Sequence, residues 1–121
     1  MKIILLFFTV LAYGTISNMI EFGYGVNDAF WRVVWAIDEE TVWAKGFSEE
    51  KFLKVEEGMT KKEVLKLLGE PLNGTEDFDE TRDSFWYYTW HSRGNADFDQ
   101  RWVVFGLDDK VKEIRKSFYI D

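Results

Sequence analysis

The residues that could carry chemistry are few in this sequence. His91 is the only histidine, and there is no cysteine, so a thiol nucleophile, a disulfide and a cysteine-bound zinc ion are excluded. A single histidine beside Trp90, in a chain without cysteine, does not favour a metal site or a catalytic triad. We therefore expect His91 to be a surface or strand-edge residue whose charge responds to pH.

Carboxylates are abundant, and a dense group lies in residues 76–83. Asp77 and Asp79 alternate as ligands do in a calcium-binding loop, but Arg82 replaces the turn glycine and Tyr88 replaces the final glutamate. We interpret this run as a solvated loop. A rival hypothesis, an enzyme that uses these carboxylates, predicts loss of function when Asp77 and Asp79 are replaced by alanine. We predict no catalytic residue, metal ligand or cofactor.

Aromatic side chains could act by binding. The 121 residues, enough for one domain, include six tryptophans and eleven phenylalanines, which is more than one small core easily hides. Tryptophan fills cores when buried and anchors interfaces when exposed. We favour a core position for any one tryptophan, and name Trp31, Trp35 and Trp43 as candidate binding residues because they lie outside the helical motif described below.

Charge excludes one class of partner. The net charge is −7, from 22 acidic and 15 basic residues. An acidic surface repels phosphate backbones and lacks the basic clusters that bind anionic lipid, so we expect no nucleic-acid partner and no polybasic membrane attachment.

Residues 1–20 predict export as a signal peptide or a membrane anchor. Lys2 is followed by a long uncharged apolar run, and the small residues Ala12 and Gly14 fit cleavage after Gly14. Cleavage predicts a soluble periplasmic protein. Without cleavage, residues 3–20 form a helix of about 27 Å that anchors the chain and leaves Glu21 outside. A buried core helix is disfavoured because the run is apolar on every face.

Residues 21–45 are predicted to be a linker followed by a tryptophan-rich segment. Two glycines and an Asn-Asp pair favour irregular structure in residues 21–29. The apolar positions in residues 30–37 fit a strand or a helix, and their β-branched and aromatic content favours a strand. Residues 41–44 predict a second short strand.

Helix signals are clearest in residues 46–70. Ser48 is typical of a helix start, and Gly58 is expected to end that helix in a left-handed cap. Thr60 and Glu63 have the spacing of a capping box that begins a second helix. Gly69 is expected to stop this second helix.

Three aromatic and β-branched segments follow and predict consecutive strands, at residues 85–90, 101–105 and 111–118. Short connections make such strands antiparallel. Val111 and Ile114 fall on opposite faces of the last strand, so we expect a β-bulge there. The prediction is an α+β fold with two helices packed on a three-stranded antiparallel sheet, preceded by the apolar segment.

The two predicted helices and the strand segments that follow them resemble the SmpA/OmlA family. These are small outer-membrane proteins that include the E subunit of the β-barrel assembly machinery. The likeness covers roughly residues 46–118 and predicts a domain at 46–121. These motif residues specify a turn, a cap and a helix end, so they define a scaffold rather than a catalytic site. They are Gly58, Met59, Thr60, Glu63, Gly69 and Pro71.

The resemblance implies a non-catalytic periplasmic protein of the cell envelope that helps outer-membrane assembly. Its expected partners are an envelope protein, such as a subunit of the barrel assembly machinery, and lipid. The sequence has no cysteine to carry a lipid, so only the amino-terminal segment could hold it on a membrane. The alternative is a secreted or periplasmic enzyme inhibitor resembling a single unit of β-lactamase inhibitor protein, which binds through an aromatic-rich sheet.

Overall fold

The computed structural model describes residues 1–36, 39–74, 82–92 and 97–120. These residues form an α+β fold. Its elements, in chain order, are α1 (Lys2–Phe22), α2 (Val26–Val34), β1 (Thr41–Trp43), α3 (Glu49–Phe52), α4 (Lys61–Leu68), β2 (Asn73–Gly74), β3 (Ser84–Tyr87), β4 (Thr89–His91), β5 (Phe98–Phe105) and β6 (Val111–Tyr119).

The main sheet is antiparallel with the strand order β2-β3-β5-β6, and β1 pairs with β4 in a second, two-stranded sheet. The predicted three strands correspond to β3, β5 and β6, and the two-residue β2 extends their edge. The predicted bulge is confirmed, because Val104 lies opposite Glu113 whereas Phe105 lies opposite Val111. The expected fold class is therefore confirmed.

The main core lies between this sheet and the α3–α4 pair. Phe52 of α3 and Val64 of α4 pack against Val103 and Phe105 of β5, and all four side chains are buried. Burying such a side chain contributes about 1.5–3 kcal/mol. We call the face of the sheet that carries Val103 the inner face and the opposite face the outer face.

The segment predicted as one strand at 85–90 is broken at Tyr88. The backbone N–H of Tyr88 donates to the Arg101 carbonyl at 3.0 Å, and its own carbonyl accepts from the Ala44 N–H at 2.8 Å. The chain thus crosses from the main sheet to the second one, where β4 pairs with β1. The short strand predicted at 41–44 is confirmed as β1.

The strand favoured for residues 30–37 is wrong, because α2 occupies Val26–Val34. Residues 21–29 also contain little irregular backbone, since α1 continues to Phe22 and only residues 23–25 join the two helices. Packing against α1 overrides the β propensity of the segment, with Val33 meeting the helix surface at Gly14. We call α1, residues 23–25 and α2 the hairpin.

The first helix of the motif is shorter than expected. It ends at Phe52, so Gly58 does not cap it. Gly58 has a φ of 87°, as its type allows, and its N–H donates to the Val111 carbonyl at 2.8 Å. Met59 accepts from the Val111 N–H at 2.8 Å. Gly58 and Met59 therefore fasten the helix pair to the start of β6.

The second helix begins and ends as predicted. The Thr60 N–H donates to Glu63 Oε2 at 2.8 Å, and the Glu63 N–H donates to Thr60 Oγ1 at 3.2 Å, so the capping box is confirmed. Gly69 ends α4 with a positive φ of 79°. The Tyr88 hydroxyl donates to the Gly69 carbonyl at 2.9 Å and so ties the helix end, just before Pro71, to the sheet.

Candidate functional site

A buried polar cluster joins the hairpin to the sheet, and we call it the interlock: Tyr24, Arg32, Glu49, Asp99 and Arg101. Asp99 and Arg101 alternate with Val103 along β5 and so lie on its inner face. Both are completely buried, at 0% exposure. Charged groups in such a position must be paired.

Asp99 is the centre of the hairpin contact. Its Oδ1 accepts from the Tyr24 hydroxyl at 2.5 Å and from Arg32 Nε at 3.0 Å, and its Oδ2 accepts from Arg32 Nη2 at 3.1 Å. Arg32 also donates to Asn18 Oδ1 at 3.2 Å, and the Asn18 amide donates to the Ala29 carbonyl at 3.1 Å. One carboxylate therefore fixes α1, α2 and their connection to β5.

Arg101 is the centre of the contact with the helix pair. Its Nε donates to Glu49 Oε2 at 2.9 Å, and its Nη1 donates to the Tyr24 hydroxyl at 2.7 Å. Lys116 Nζ lies 3.2 Å from Glu49 Oε1. Burial alone lowers the pKa of Arg101, but the Glu49 and Tyr24 interactions outweigh it and raise the pKa. The guanidinium therefore stays charged.

The chemistry available to the interlock is holding rather than reaction. Burial raises the pKa of Tyr24, which remains a neutral hydroxyl that donates to Asp99 and accepts from Arg101. Asp99 and Glu49 are both engaged by guanidinium groups. Within the described residues, no three histidine or acidic side chains are placed to hold a metal ion.

A second feature is an aromatic cluster on the outer face of the sheet, away from α3 and α4. We call it the aromatic face: Tyr87, Trp90, Phe98, Trp102 and Tyr119. The rings of Trp90 and Trp102 are stacked with their centroids 5.3 Å apart, and the ring centroids of Tyr87 and Trp102 are 4.6 Å apart. Phe98 is buried beneath Tyr119, whose ring is 5.2 Å away. The cluster offers polarizable, partly exposed surface for binding.

Charged residues border this surface. Arg115, opposite Trp102 in the β5–β6 pair, has its guanidinium 5.3 Å from the Phe85 ring and pairs with Glu113 at 2.9 Å. Aromatic side chains and arginine are the types enriched at protein interfaces. The arrangement therefore suits protein recognition.

The α3–α4 pair and most of the main sheet coincide with a known domain. The model of the family described as the outer membrane protein assembly factor BamE domain matches residues 46–115. This chain belongs to the BamE family. The match confirms the resemblance to SmpA/OmlA proteins, and no curated protein matches the chain. The hairpin precedes the matched residues, so we use "BamE domain" for residues 46–115 and keep "hairpin" for the segment before it.

The predicted binding tryptophans fall in two places. Trp31 and Trp35 lie one turn apart on the outward side of α2 and are 39% and 40% exposed. Trp43 lies on β1, beside the BamE domain, with its ring 5.0 Å from Phe47 and 6.0 Å from the guanidinium carbon of Arg101. The structure thus groups two of the three and places Trp43 over the interlock.

The interlock residues were missed by the sequence reasoning. Asp99 and Arg101 share the parity of Val103, and that alternation was a usable signal that two charges face the core. Arg32, the partner of Asp99, comes from a segment predicted to be a strand, so the sequence pattern alone could not pair the two residues.

His91 ends β4 and is half-buried, in agreement with a strand-edge position. Its ring lies 4.8 Å from Trp90 and 5.7 Å from Phe98, and its Nδ1 is a buried atom with no hydrogen-bond partner among the described residues. It therefore belongs to the rim of the aromatic face. The predicted acidic loop around Asp77 and Asp79 lies outside the described residues.

Proposed function

We propose that this protein is a non-catalytic accessory factor of the bacterial cell envelope that assists outer-membrane protein assembly by binding a protein partner. The BamE match over residues 46–115 carries the proposal. The family description names an assembly factor for outer-membrane proteins. The apolar first helix supports delivery to the envelope, because it has the length and composition of an export signal or an anchor.

The interlock supports binding rather than catalysis. Arg32 binds the Asp99 carboxylate and Arg101 binds the Glu49 carboxylate, and Asp99 and Arg101 are closed to solvent. A general acid or base must reach its substrate within hydrogen-bond distance. These groups therefore serve to position the hairpin on the BamE domain.

The aromatic face is the surface we assign to the partner. Tyr119 is 42% exposed and lies beside Phe98, while Arg115 and Glu113 supply charge at the same surface. Such a mixture of aromatic area and a few charges gives anchors for a protein contact and orientation for its docking. We propose a subunit of the barrel assembly machinery as the partner.

The test is cross-linking in cells with the full chain carrying a carboxy-terminal tag, followed by mass spectrometry of the co-purified envelope proteins. We expect barrel-assembly subunits to be recovered with the unaltered chain. If they are absent while the chain is present in the envelope, the assembly role is wrong.

A pair of variants tests the surface. The double change Arg115→Ala with Tyr119→Ala removes two partly exposed side chains of this face, and we expect it to abolish the cross-link. Leu107→Ala, at an exposed position in the β5–β6 turn, is the matched control and should leave the cross-link intact. Equal recovery with both would show that the partner binds elsewhere.

A further inference from the structure

Helix α2 is amphipathic, but its apolar side faces outward, whereas the apolar side of a helix on a water-soluble domain faces inward. Its inward side carries Arg32, bonded to Asp99, and the small Ala29, which is fully buried. Its outward side is almost wholly apolar. The exposed apolar residues of that side are Val26 (63%), Phe30 (36%), Trp31 (39%), Val34 (39%) and Trp35 (40%), and the polar Asn27 is exposed among them. A helix in water normally turns its apolar stripe inward.

Helix α1 has the same organisation. Asn18 is buried against α2, where it bonds Ala29 and Arg32, whereas Ile16 and Ile20 on the other side are 57% and 80% exposed. The two helices approach closely at a small residue: a Cβ on Gly14 would lie 2.9 Å from Val33 Cγ2. Small residues and interhelical polar bonds are the means by which helices associate inside membranes.

The apolar surface of the two helices adjoins one segment long enough to cross a bilayer. Among the described residues, α1 is the one helix with the length and composition for a span, with a mean hydropathy of 2.0. It is also mostly unburied along its length. Exposed apolar surface on this scale marks contact with a membrane or another protein.

The length of α1 indicates how deep the hairpin must lie. Helix α2 runs back beside α1 at least as far as Gly14, where Val33 contacts it, and residues 2–10 of α1 are all exposed. At about 1.5 Å per residue these nine residues reach about 14 Å. The hydrocarbon layer is about 30 Å thick. If α1 spans the bilayer, part of the segment that lies beside α2 must also enter it, and the outward side of α2 then lies at the membrane boundary.

We propose that the hairpin is a single membrane-inserted unit in which α1 is a retained anchor and the outward side of α2 lies in the lipid interface. Trp31 and Trp35 then occupy the zone that tryptophan prefers in membrane proteins. The contact is apolar rather than ionic, in keeping with the net charge of −7. The interlock holds the BamE domain directly against the same surface.

Lipid is the occupant because the outward side of α2 continues the exposed apolar surface of α1, the one described helix that is long and apolar enough to span a bilayer. The polar groups of Asn18 and Arg32 bond each other and, through Arg32, Asp99 of β5, so they face protein rather than the outward side, as polar groups of membrane-embedded helices do. This inference does not depend on the assembly role, since it rests on the hairpin alone.

The absence of cysteine allows a clean test. Single cysteines are introduced in the full chain by Val34→Cys, Val26→Cys and Leu107→Cys, and each is labelled with an environment-sensitive nitrobenzoxadiazole dye. The chain is reconstituted in vesicles of phosphatidylethanolamine and phosphatidylglycerol, with or without nitroxide-bearing lipid. All three positions are exposed, so the changes remove little packing.

We expect the label at 34 to emit at shorter wavelength than the label at 107 and to be quenched several-fold more by the nitroxide lipid. The label at 26, nearer the helix connection, should be quenched less than that at 34 by deep nitroxides. Equal, water-like emission at 34 and 107 would overturn the proposal. A blue-shifted label at 34 that resists nitroxide quenching would also overturn it, because protein rather than lipid would then cover α2.

Discussion

The hairpin and the BamE domain differ in which residues they bury and which they expose to their surroundings. In the domain, Val64 and Val103 are buried while Lys62 and Lys66 are exposed. In the hairpin, Asn18 is buried while its neighbours along α1 expose large apolar side chains. Hydrophobic burial can hold the domain together in water, but it cannot by itself attach a polar inner surface. The chain attaches this surface through the charge-paired hydrogen bonds of the interlock, beside a small apolar cluster in which Tyr24 and Ala29 pack with Phe118 of β6.

The largest effect should come from breaking the interlock. Asp99→Ala leaves Arg32 and the Tyr24 hydroxyl without their buried acceptor, and removal of one partner of a buried pair costs about 3–5 kcal/mol. We expect faster hydrogen exchange in residues 23–25 and in α2 of the detergent-solubilised chain, together with a lower free energy of unfolding.

Glu113→Ala is the matched control for that change. Its pair with Arg115 is half-exposed at 2.9 Å, and pairs of this kind contribute about 0–1 kcal/mol. If the two alanine variants lost equal stability, the interlock would not be the principal attachment.

The next effect should come from the helix contact within the hairpin. Gly14→Leu places a side chain where Val33 already lies within 2.9 Å of the added Cβ, and overpacking of this kind costs about 1–3 kcal/mol. We expect faster hydrogen exchange in α2, with the BamE domain unaffected.

Ala12→Leu adds the same side chain two residues earlier, at an exposed position of α1. It should leave exchange in α2 unchanged. Similar exchange in the two leucine variants would mean that α1 does not pack on α2 through Gly14.

Alkaline pH should weaken both regions through different tyrosines. Burial raises the pKa of Tyr24 in the interlock and, with a contribution from Glu70, that of Tyr88 in the domain. Above about pH 10, the ordinary value, the unfolded chain loses these protons while the folded chain keeps them. Stability therefore falls as pH rises, by at most about 1.4 kcal/mol per pH unit for each tyrosine.

Tyr24→Phe and Tyr88→Phe separate the two contributions. Unfolding free energies measured at several pH values above neutrality should fall less steeply with rising pH in each variant. For Tyr24→Phe, hydrogen exchange in the hairpin should also depend less on alkaline pH. An unchanged slope in both variants would refute the assignment.

The smallest effect should be confined to the domain. Thr60→Ala removes one half of the capping box and costs about 1 kcal/mol, whereas Thr60→Ser keeps an acceptor and should be nearly neutral. Exchange in the hairpin should not change in either variant. A hairpin response to Thr60→Ala would show that the two regions are not separately stabilised.

The sequence was most informative where signals were local. The capping box at Thr60 and the helix end at Gly69 follow from neighbouring residue types, and the bulge near Phe105 followed from strand parity. The α2 prediction failed because its aromatic and β-branched content resembles a strand, whereas the helix is favoured by long-range contacts such as those of Val33 with Gly14 and Arg32 with Asp99.

The interlock and the aromatic face depended on pairing across the chain. Tyr24 and Asp99 are 75 residues apart in sequence, and no short-range pattern indicates that they meet. Trp102 and Tyr119 could be assigned to the outer face only once the register of β5 and β6 was known.

Retention of α1 is what the membrane-inserted hairpin requires most, and one measurement addresses it directly. The full chain with a carboxy-terminal tag is expressed, the envelope is separated into membrane and soluble fractions, and the intact mass is determined in each. We predict a chain that begins at Met1, with the 14.4 kDa mass of all 121 residues plus the tag, in membranes that have been washed with alkaline carbonate. A soluble chain beginning at Thr15 would contradict the account, because cleavage there would remove Gly14 and most of the anchor.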